Sequence, residues 1–262
     1  MKKQNVFYIL FAMLFMAFQT ITGQTIQYSD SWAEQGFSLQ EESSSKVIVN
    51  YSLSSFSMLD VDIDGNISKT IKIPEVFLPN DAGAPDLPGM GKFIAMPQGS
   101  NAVLSIRSTR KEVYQGIDIA PAPELPIESD PTPMKYEKDL KIYSKNEFYP
   151  KESVIISEKM SMRGIDGIML GITPFQYNPQ SRELIVYRDL VIEINFIGGN
   201  GQIGDPRLRS RWWDPILISN TLNANSIPEI DYNRPSDPTD VESYDYVIIT
   251  PNDQAFIDKA NE

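Results

Sequence analysis

The chain has 262 residues, carries 23 Lys and Arg against 35 Asp and Glu for a formal charge of −12, and contains neither Cys nor His. Without those two residue types it can assemble no Ser–His or Cys–His nucleophile pair, no imidazole base and no thiolate metal site. So acidic a balance also argues against a nucleic-acid partner, because phosphates need basic neutralisation, and it is read as a device for solubility.

Lys2 and Lys3 precede an uncharged apolar run, Val6 to Phe18, and small or polar residues follow from Gln19 to Gln24. That is the order of a cleavable export signal. The cut is placed near Gly23, so that residues 1–23 are removed and the protein acts outside the cytoplasm. The run falls short of the roughly 20 apolar residues of a membrane helix; an uncleaved anchor is the alternative. No later stretch is apolar enough to span a bilayer, so no membrane contact is expected once the signal is gone. Loss of Lys2 and Lys3 lowers the 23 basic residues to 21 against 35 acidic ones, a balance of −14. About 240 remaining residues can hold a fold by burial alone, without disulfides.

Residues 24–197 read as short strands punctuated by turns. Lys46–Leu53 alternates in polarity, and Val61–Ile63 and Ile67–Ile73 flank an Asp64-Gly65-Asn66 hairpin turn. Gly91–Met96 and Ala102–Ser108 suggest a second pair around Gln98-Gly99-Ser100, and Val154–Ser157, Gly167–Thr173 and Leu184–Phe196 complete the pattern. The expectation is a mainly β fold, an antiparallel β-sandwich or open barrel. Asp60, Asp62 and Asp64 match the start of a calcium loop, but the closing acid that such a loop needs falls on Ile71. The hairpin is the preferred reading there, with calcium as the alternative; no other cofactor is indicated.

Two segments break the rhythm. Ala120–Pro133 holds five prolines in 14 residues, which excludes a central strand and predicts an extended, exposed loop. Residues 198–242 combine glycines, the cluster Arg207, Arg209 and Arg211, the pair Trp212-Trp213, and Asn- and Pro-rich stretches. They are read as a connector. The arginines are either a solvated basic run or a processing site for a trypsin-like or self-cleaving protease. The tryptophans are anchors packing the connector onto a domain, or else a ligand platform.

The character changes at residues 243–262. Tyr244–Thr250 is a continuous apolar strand of the kind buried in a parallel sheet, and Gln254–Ala260 reads helical after a Pro251-Asn252-Asp253 start. One strand and one helix cannot bury a core. The expectation is the truncated start of an α/β domain, and hence the N-terminal piece of a longer protein.

Several stretches together resemble the propeptides of the gingipain family of secreted cysteine peptidases. They are Gly83-Ala84-Pro85-Asp86-Leu87-Pro88, then Phe93-Ile94-Ala95-Met96-Pro97-Gln98-Gly99, Ile119-Ala120-Pro121-Ala122-Pro123, Phe148-Tyr149-Pro150, and Pro174-Phe175-Gln176-Tyr177-Asn178-Pro179 running into Leu184-Ile185-Val186-Tyr187. Tyr244–Glu262 looks like the opening of the caspase-like catalytic domain of that family. The resemblance implies a signal peptide, a β-rich propeptide and a cysteine endopeptidase whose Cys–His pair lies beyond Glu262, so no catalysis is expected from this stretch itself. It implies a partner in cis, the chain's own peptidase domain, kept latent and helped to fold by a loop that fills its active site. It also implies export through the periplasm to the cell surface or medium by the type IX route.

The candidate inhibitory loop is the Pro-rich segment, with Pro123, Pro126, Ile127, Glu128 and Ser129, and Lys135 after it; a solvent-exposed loop without contact to the enzyme is the alternative. Arg- and Lys-specific members of the family carry a basic residue in this loop, and here there is none between Lys111 and Lys135. Specificity, and a sortase-like against an ordinary peptidase, therefore stay open. From the strand pattern alone, a secreted β-sandwich adhesion or carbohydrate-binding module is the competing reading.

Overall fold

A computed structural model describes residues 23–76, 81–124, 134–232 and 254. The signal region, the interior of the Pro-rich loop and, Gln254 apart, the expected α/β start lie outside the described residues.

Three antiparallel sheets surround one main core. The first contains β1 (Gln24–Gln27), β4 (Ser55–Ile63) and β5 (Asn66–Lys72) in the order β1-β4-β5. The second contains β6 (Met90–Ala95), β10 (Ile165–Ile172) and β8 (Val154–Ile156), with β9 (Met160–Met162) also on β10. The third runs β11-β12-β3-β2, from β11 (Phe175–Asn178), β12 (Glu183–Gly198), β3 (Lys46–Ser52) and β2 (Gly36–Glu42), and β7 (Ser100–Gln115) pairs with β12. A one-turn helix, α1 (Leu140–Tyr143), and a longer one, α2 (Asp214–Asn220), complete the described elements with a 3₁₀ turn at Ala224–Ser226.

Alternation decides which face of β12 is inside. Leu184, Val186, Leu190, Ile192, Ile194 and Phe196 share one face and enter the core, as a period of two requires. They meet Val47, Val49 and Tyr51 of β3, Phe56 and Met58 of β4, and Ile168, Leu170 and Ile172 of β10. Phe56 sits edge-on to Phe175, with ring centroids 5.2 Å apart, a favoured aromatic arrangement.

The mainly β expectation and the Asp64-Gly65 hairpin hold. In β4–β5, Ile63 pairs with Asn66 across two residues of positive φ, Asp64 at 53° and Gly65 at 81°, the geometry of a tight primed turn. The second expected pair does not form. β6 pairs with β10, whereas β7 runs along β12 in another sheet. A turn of Pro97 to Ser100, closed by the Ser100 N–H on the Pro97 carbonyl at 3.0 Å with Gly99 at φ 76°, carries the chain from one sheet to the other. Turn residues between two strands settle that the chain reverses, not which strand it joins.

The connector reading is also corrected for residues 198–228. The compact unit extends to Pro228, and Ile203, Leu217 and Ile227 bury themselves in a second cluster with Phe93, Ala95 and Ile165. The Asn223 side chain donates to the Ala95 carbonyl and accepts from the Ala95 N–H, both at 2.8 Å. Leu222 N–H bonds the Phe93 carbonyl at 2.9 Å. These bonds occupy the outer edge of β6, which would otherwise present unpaired groups.

Candidate functional site

The Pro-rich segment divides at Glu124. Before it, Ile119, Ala120 and Ala122 are buried, at 2% exposure or less, against the expectation of an exposed loop. The reason is the alternation of Ala and Pro. The Ala120 N–H reaches the Lys69 carbonyl of β5 at 2.8 Å, and the Ala122 N–H reaches the Ala84 carbonyl at 2.7 Å. Pro121 and Pro123 fall at the intervening positions, where the missing N–H leaves no ladder bond unmade. In return the Asp86 N–H donates to Ala120 and the Gly83 N–H to Ala122, each at 2.9 Å. Residues 119–123 thus form a buried extended rib between β5 and residues 83–86.

The rib ends in a neck. Glu124 and Lys135 form an antiparallel bridge, with the Glu124 N–H on the Lys135 carbonyl at 3.1 Å. Residues 125–134 start from this pair and return to it. Lys135, exposed, therefore stands at the base of the loop, and Pro123 is half-buried just below it. Pro126, Ile127, Glu128 and Ser129 lie outside the described residues. The neck is braced from beneath. Gly83, at φ 82°, accepts at its carbonyl from the Asp139 N–H at 2.9 Å, and an added Cβ there would sit 3.0 Å from the Glu137 carbonyl oxygen. Only glycine tolerates both that φ and that approach. The Tyr143 hydroxyl of α1 donates to the Ile119 carbonyl at 3.1 Å, and burial pushes that phenol's pKa up.

The other candidates separate. Arg207 is exposed and forms a fork with Asp205, and Arg211 is exposed with its guanidinium 5.0 Å from the Trp212 ring centroid. Arg209 is buried, which overturns the solvated-run reading for that residue. It bonds Asp214 through Nε at 3.2 Å and through a second guanidinium nitrogen at 2.6 Å, and it also donates to the Pro228 carbonyl. Trp212 and Trp213 remain 74% and 42% exposed, so neither is a buried anchor; Trp213 instead carries the Arg163 guanidinium 4.6 Å above its ring. At the aspartates, Asp60 pairs with Lys69 at 2.5 Å and Asp62 accepts from the Gly65 N–H at 2.7 Å. Among the described residues no group of three or more His, Cys, Asp or Glu converges on a point that could hold a metal ion.

One cluster had no signal in the sequence. Arg188 is a bulge residue on β12, opposite the step from Lys111 to Arg110 on β7. Its guanidinium pairs with Glu112 at 2.8 Å and with Asp30, and lies 3.9 Å over the Tyr28 ring. Asp189 beside it is fully buried and accepts from the Ser52 hydroxyl, the Trp32 N–H and Arg110 Nε at 2.7, 2.9 and 2.7 Å. This network ties the N-terminal segment to the largest sheet. It is a structural fastening remote in sequence, which spacing cannot reveal.

The profile of the Propeptide_C25 family matches residues 34–202. The chain belongs to that family. The matched span takes in the rib, the neck and every strand except β1, so the β domain is a C25 propeptide, and the module reading drawn from the strand pattern alone gives way. Among curated relatives, a Lys-gingipain of Porphyromonas gingivalis (HG66) is 24% identical over 174 residues, 64% of this chain and 10% of its own length. Gingipain R2 of the same organism is 22% identical over 165 residues, 62% of this chain and 22% of its length. The chain therefore spans from about a tenth to a fifth of these relatives.

Among solved structures, the complex of P. gingivalis RgpB pro- and mature domains matches with a TM-score of 0.64 at 19% identity, over 74% of this chain and 98% of that one. A structure of gingipain K from P. gingivalis, described for its zymogenic latency, matches with a TM-score of 0.56 at 23% identity, over 68% and 100%. These likenesses show a shared propeptide fold. The stretches that carry the resemblance map onto the rib and its partner residues 83–86, onto β6 with its turn, and onto the Tyr149–Tyr177 backbone pair.

Proposed function

We propose that this propeptide keeps a gingipain-like cysteine endopeptidase, encoded in the same chain beyond Glu262, latent by laying residues 125–134 across its active-site groove, and that it assists the folding of that domain. The observation that carries the reading is the Glu124–Lys135 neck: a braced, paired base from which a loop with prolines at 126, 131 and 133 departs. A segment stiffened by proline loses less freedom on docking than an open chain would. Its backbone also resists the geometry that hydrolysis requires. Support comes from the relatives, which are named as gingipains, and from a fold shared with chains from a pro–mature complex and from a latent zymogen.

The loop offers no Arg or Lys between Glu124 and Lys135, so it blocks the groove by occupancy rather than by a basic side chain in the specificity pocket. Residues 1–23 direct export through the periplasm to the cell surface or medium. Among the described residues no helix is long and apolar enough to cross a membrane.

The test is inhibition of the parent's own catalytic domain by the full chain. Inhibition is expected at micromolar concentration or below, and replacing Pro126–Ser129 by Gly-Ser-Gly-Ser should weaken it at least tenfold with the melting temperature unchanged. Full peptidase activity at a large excess of the propeptide would overturn the reading.

A further inference from the structure

The basic cluster exposes two arginine side chains but no free backbone. A trypsin-like protease reads its substrate as an extended strand continuing for several residues on both sides of the scissile bond. Around Arg207 and Arg211 the chain is pinned on every side. Ile203 is buried, the Asp205 N–H bonds the Gly164 carbonyl at 2.6 Å, and Leu208 N–H turns back to the Asp205 carbonyl at 3.1 Å. Arg209, between the two exposed arginines, is buried against Asp214 and the Pro228 carbonyl. Beyond Arg211 the N–H groups of Trp213 and Asp214 both fold back onto the Ser210 carbonyl, at 3.0 and 2.9 Å. Leu217, Thr221, Asn223 and Ile227 then hold the chain on β6 and the second cluster. An extended conformation across either bond needs this whole segment to lift.

We propose that residues 203–228 form a locked clasp, and that the Arg207–Leu208 and Arg211–Trp212 bonds are proteolytic modification sites gated by the Arg209–Asp214 ion pair. In the closed clasp both bonds are protected. When the pair opens, a trypsin-like protease hydrolyses them, water supplying the hydroxyl of the new carboxyl terminus and the proton of the new amine. The pair is suited to this control because both side chains are almost wholly out of water, at 2% and 8% exposure. Removal of either side chain breaks a charge pair held out of water, which destabilises the closed form far more than the loss of an exposed pair would. Gly164 is a second control point. At φ 82° it carries no Cβ, and one added there would fall 2.8 Å from both the Asp205 carbonyl oxygen and Leu208 Cβ. This gate does not depend on the inhibitory function, since it concerns only how the chain meets a protease.

The experiment is limited trypsin digestion of the full chain, with the two bonds followed by mass spectrometry and compared with a synthetic peptide of residues 200–222. Cleavage is governed by the open population, so both bonds in the folded chain should be cut about 100-fold or more slowly than in the peptide. Asp214→Asn and, separately, Gly164→Ala should each speed both cuts at least tenfold while cleavage at Lys46 and Lys69, in β3 and β5, stays unchanged. Arg209→Lys, which keeps the charge but loses the fork, should fall between. Cutting in the wild-type chain within threefold of the peptide rate would overturn the gate, and that comparison needs no variant to fold. Unchanged rates in folded Asp214→Asn would overturn the role of the ion pair.

Discussion

Asp189 has no exposed surface, yet it sits next to a bulge in β12, a strand of 16 residues. Its carboxylate is satisfied by Ser52, Trp32 and Arg110, and the Arg188 guanidinium alongside it is paired in turn with Asp30 and Glu112. Asp189→Ala leaves the buried Ser52 hydroxyl and the Trp32 N–H without their acceptor, while Arg110 keeps Asp30, so it is expected to destabilise the fold by about 1–3 kcal/mol in urea unfolding. An exposed pair such as Arg207–Asp205 is worth far less, and Arg207→Ala should leave the unfolding midpoint almost unmoved. Neither Arg188 nor Asp189 stands out in Leu184–Phe196, where both read as polar interruptions of an apolar strand. Their role depends on partners from 76 to 158 residues away, and no local pattern encodes those.

At the scale of elements, glycine separates two kinds of constraint. Gly65 lies at φ 81° with nothing near where a Cβ would project, so Gly65→Ala carries only the left-handed backbone penalty of about 1 kcal/mol. Gly167 in β10 has an ordinary φ, but a Cβ would fall 2.2 Å from Phe93 Cζ and 2.6 Å from the Ile94 carbonyl oxygen. Overpacking there is expected to cost about 1–3 kcal/mol or more. Thermal unfolding of the two variants should therefore rank Gly167→Ala below Gly65→Ala. The Asp64-Gly65 turn was legible in the sequence because its chemistry is local. The Gly167 contact was not, because β6 and β10 pair across more than 70 residues of chain. The same limit explains the mistaken β6–β7 pairing and the buried rib. Proline counts alone exclude a ladder, whereas proline at every second position leaves the needed donors in place.

The whole molecule titrates unevenly. With no His in the chain, no side chain has its ordinary pKa between about 5 and 8. On the acid side, Asp30 is held below the usual carboxylate range by its hydrogen bond to Arg188, and Glu193 by Asn195 and Arg107. A depressed carboxylate contributes stability above its unfolded pKa, lost as pH falls through the folded value. Asp30 is exposed and Glu193 is only half-buried at the surface, so that loss should be shallow. On the alkaline side, Tyr28, Tyr51 and Tyr143 are all pushed well above the usual phenol range, chiefly by burial. A raised pKa means stability is intact below the unfolded value near 10 and declines as pH rises toward the folded one. Urea midpoints measured from pH 4 to 11 should thus stay flat from about 6 to 9 and fall more steeply above 10 than below 5.

What the sequence determined by itself was whatever rests on composition and short-range pattern. The absence of Cys and His removed thiol and imidazole chemistry, period-two runs marked the strands, an Asp-Gly step marked a turn, and the ordered stretches from Gly83 to Tyr187 pointed to the propeptide family. Tertiary structure alone decided which strand pairs with which, where the Pro-rich segment is buried and where it leaves at the Glu124–Lys135 neck, and that one of three neighbouring arginines is locked inside. Each of these depends on hydrogen bonds and burial between residues far apart in the chain. Such contacts are chosen by the packing of the core rather than by the residues adjacent in sequence.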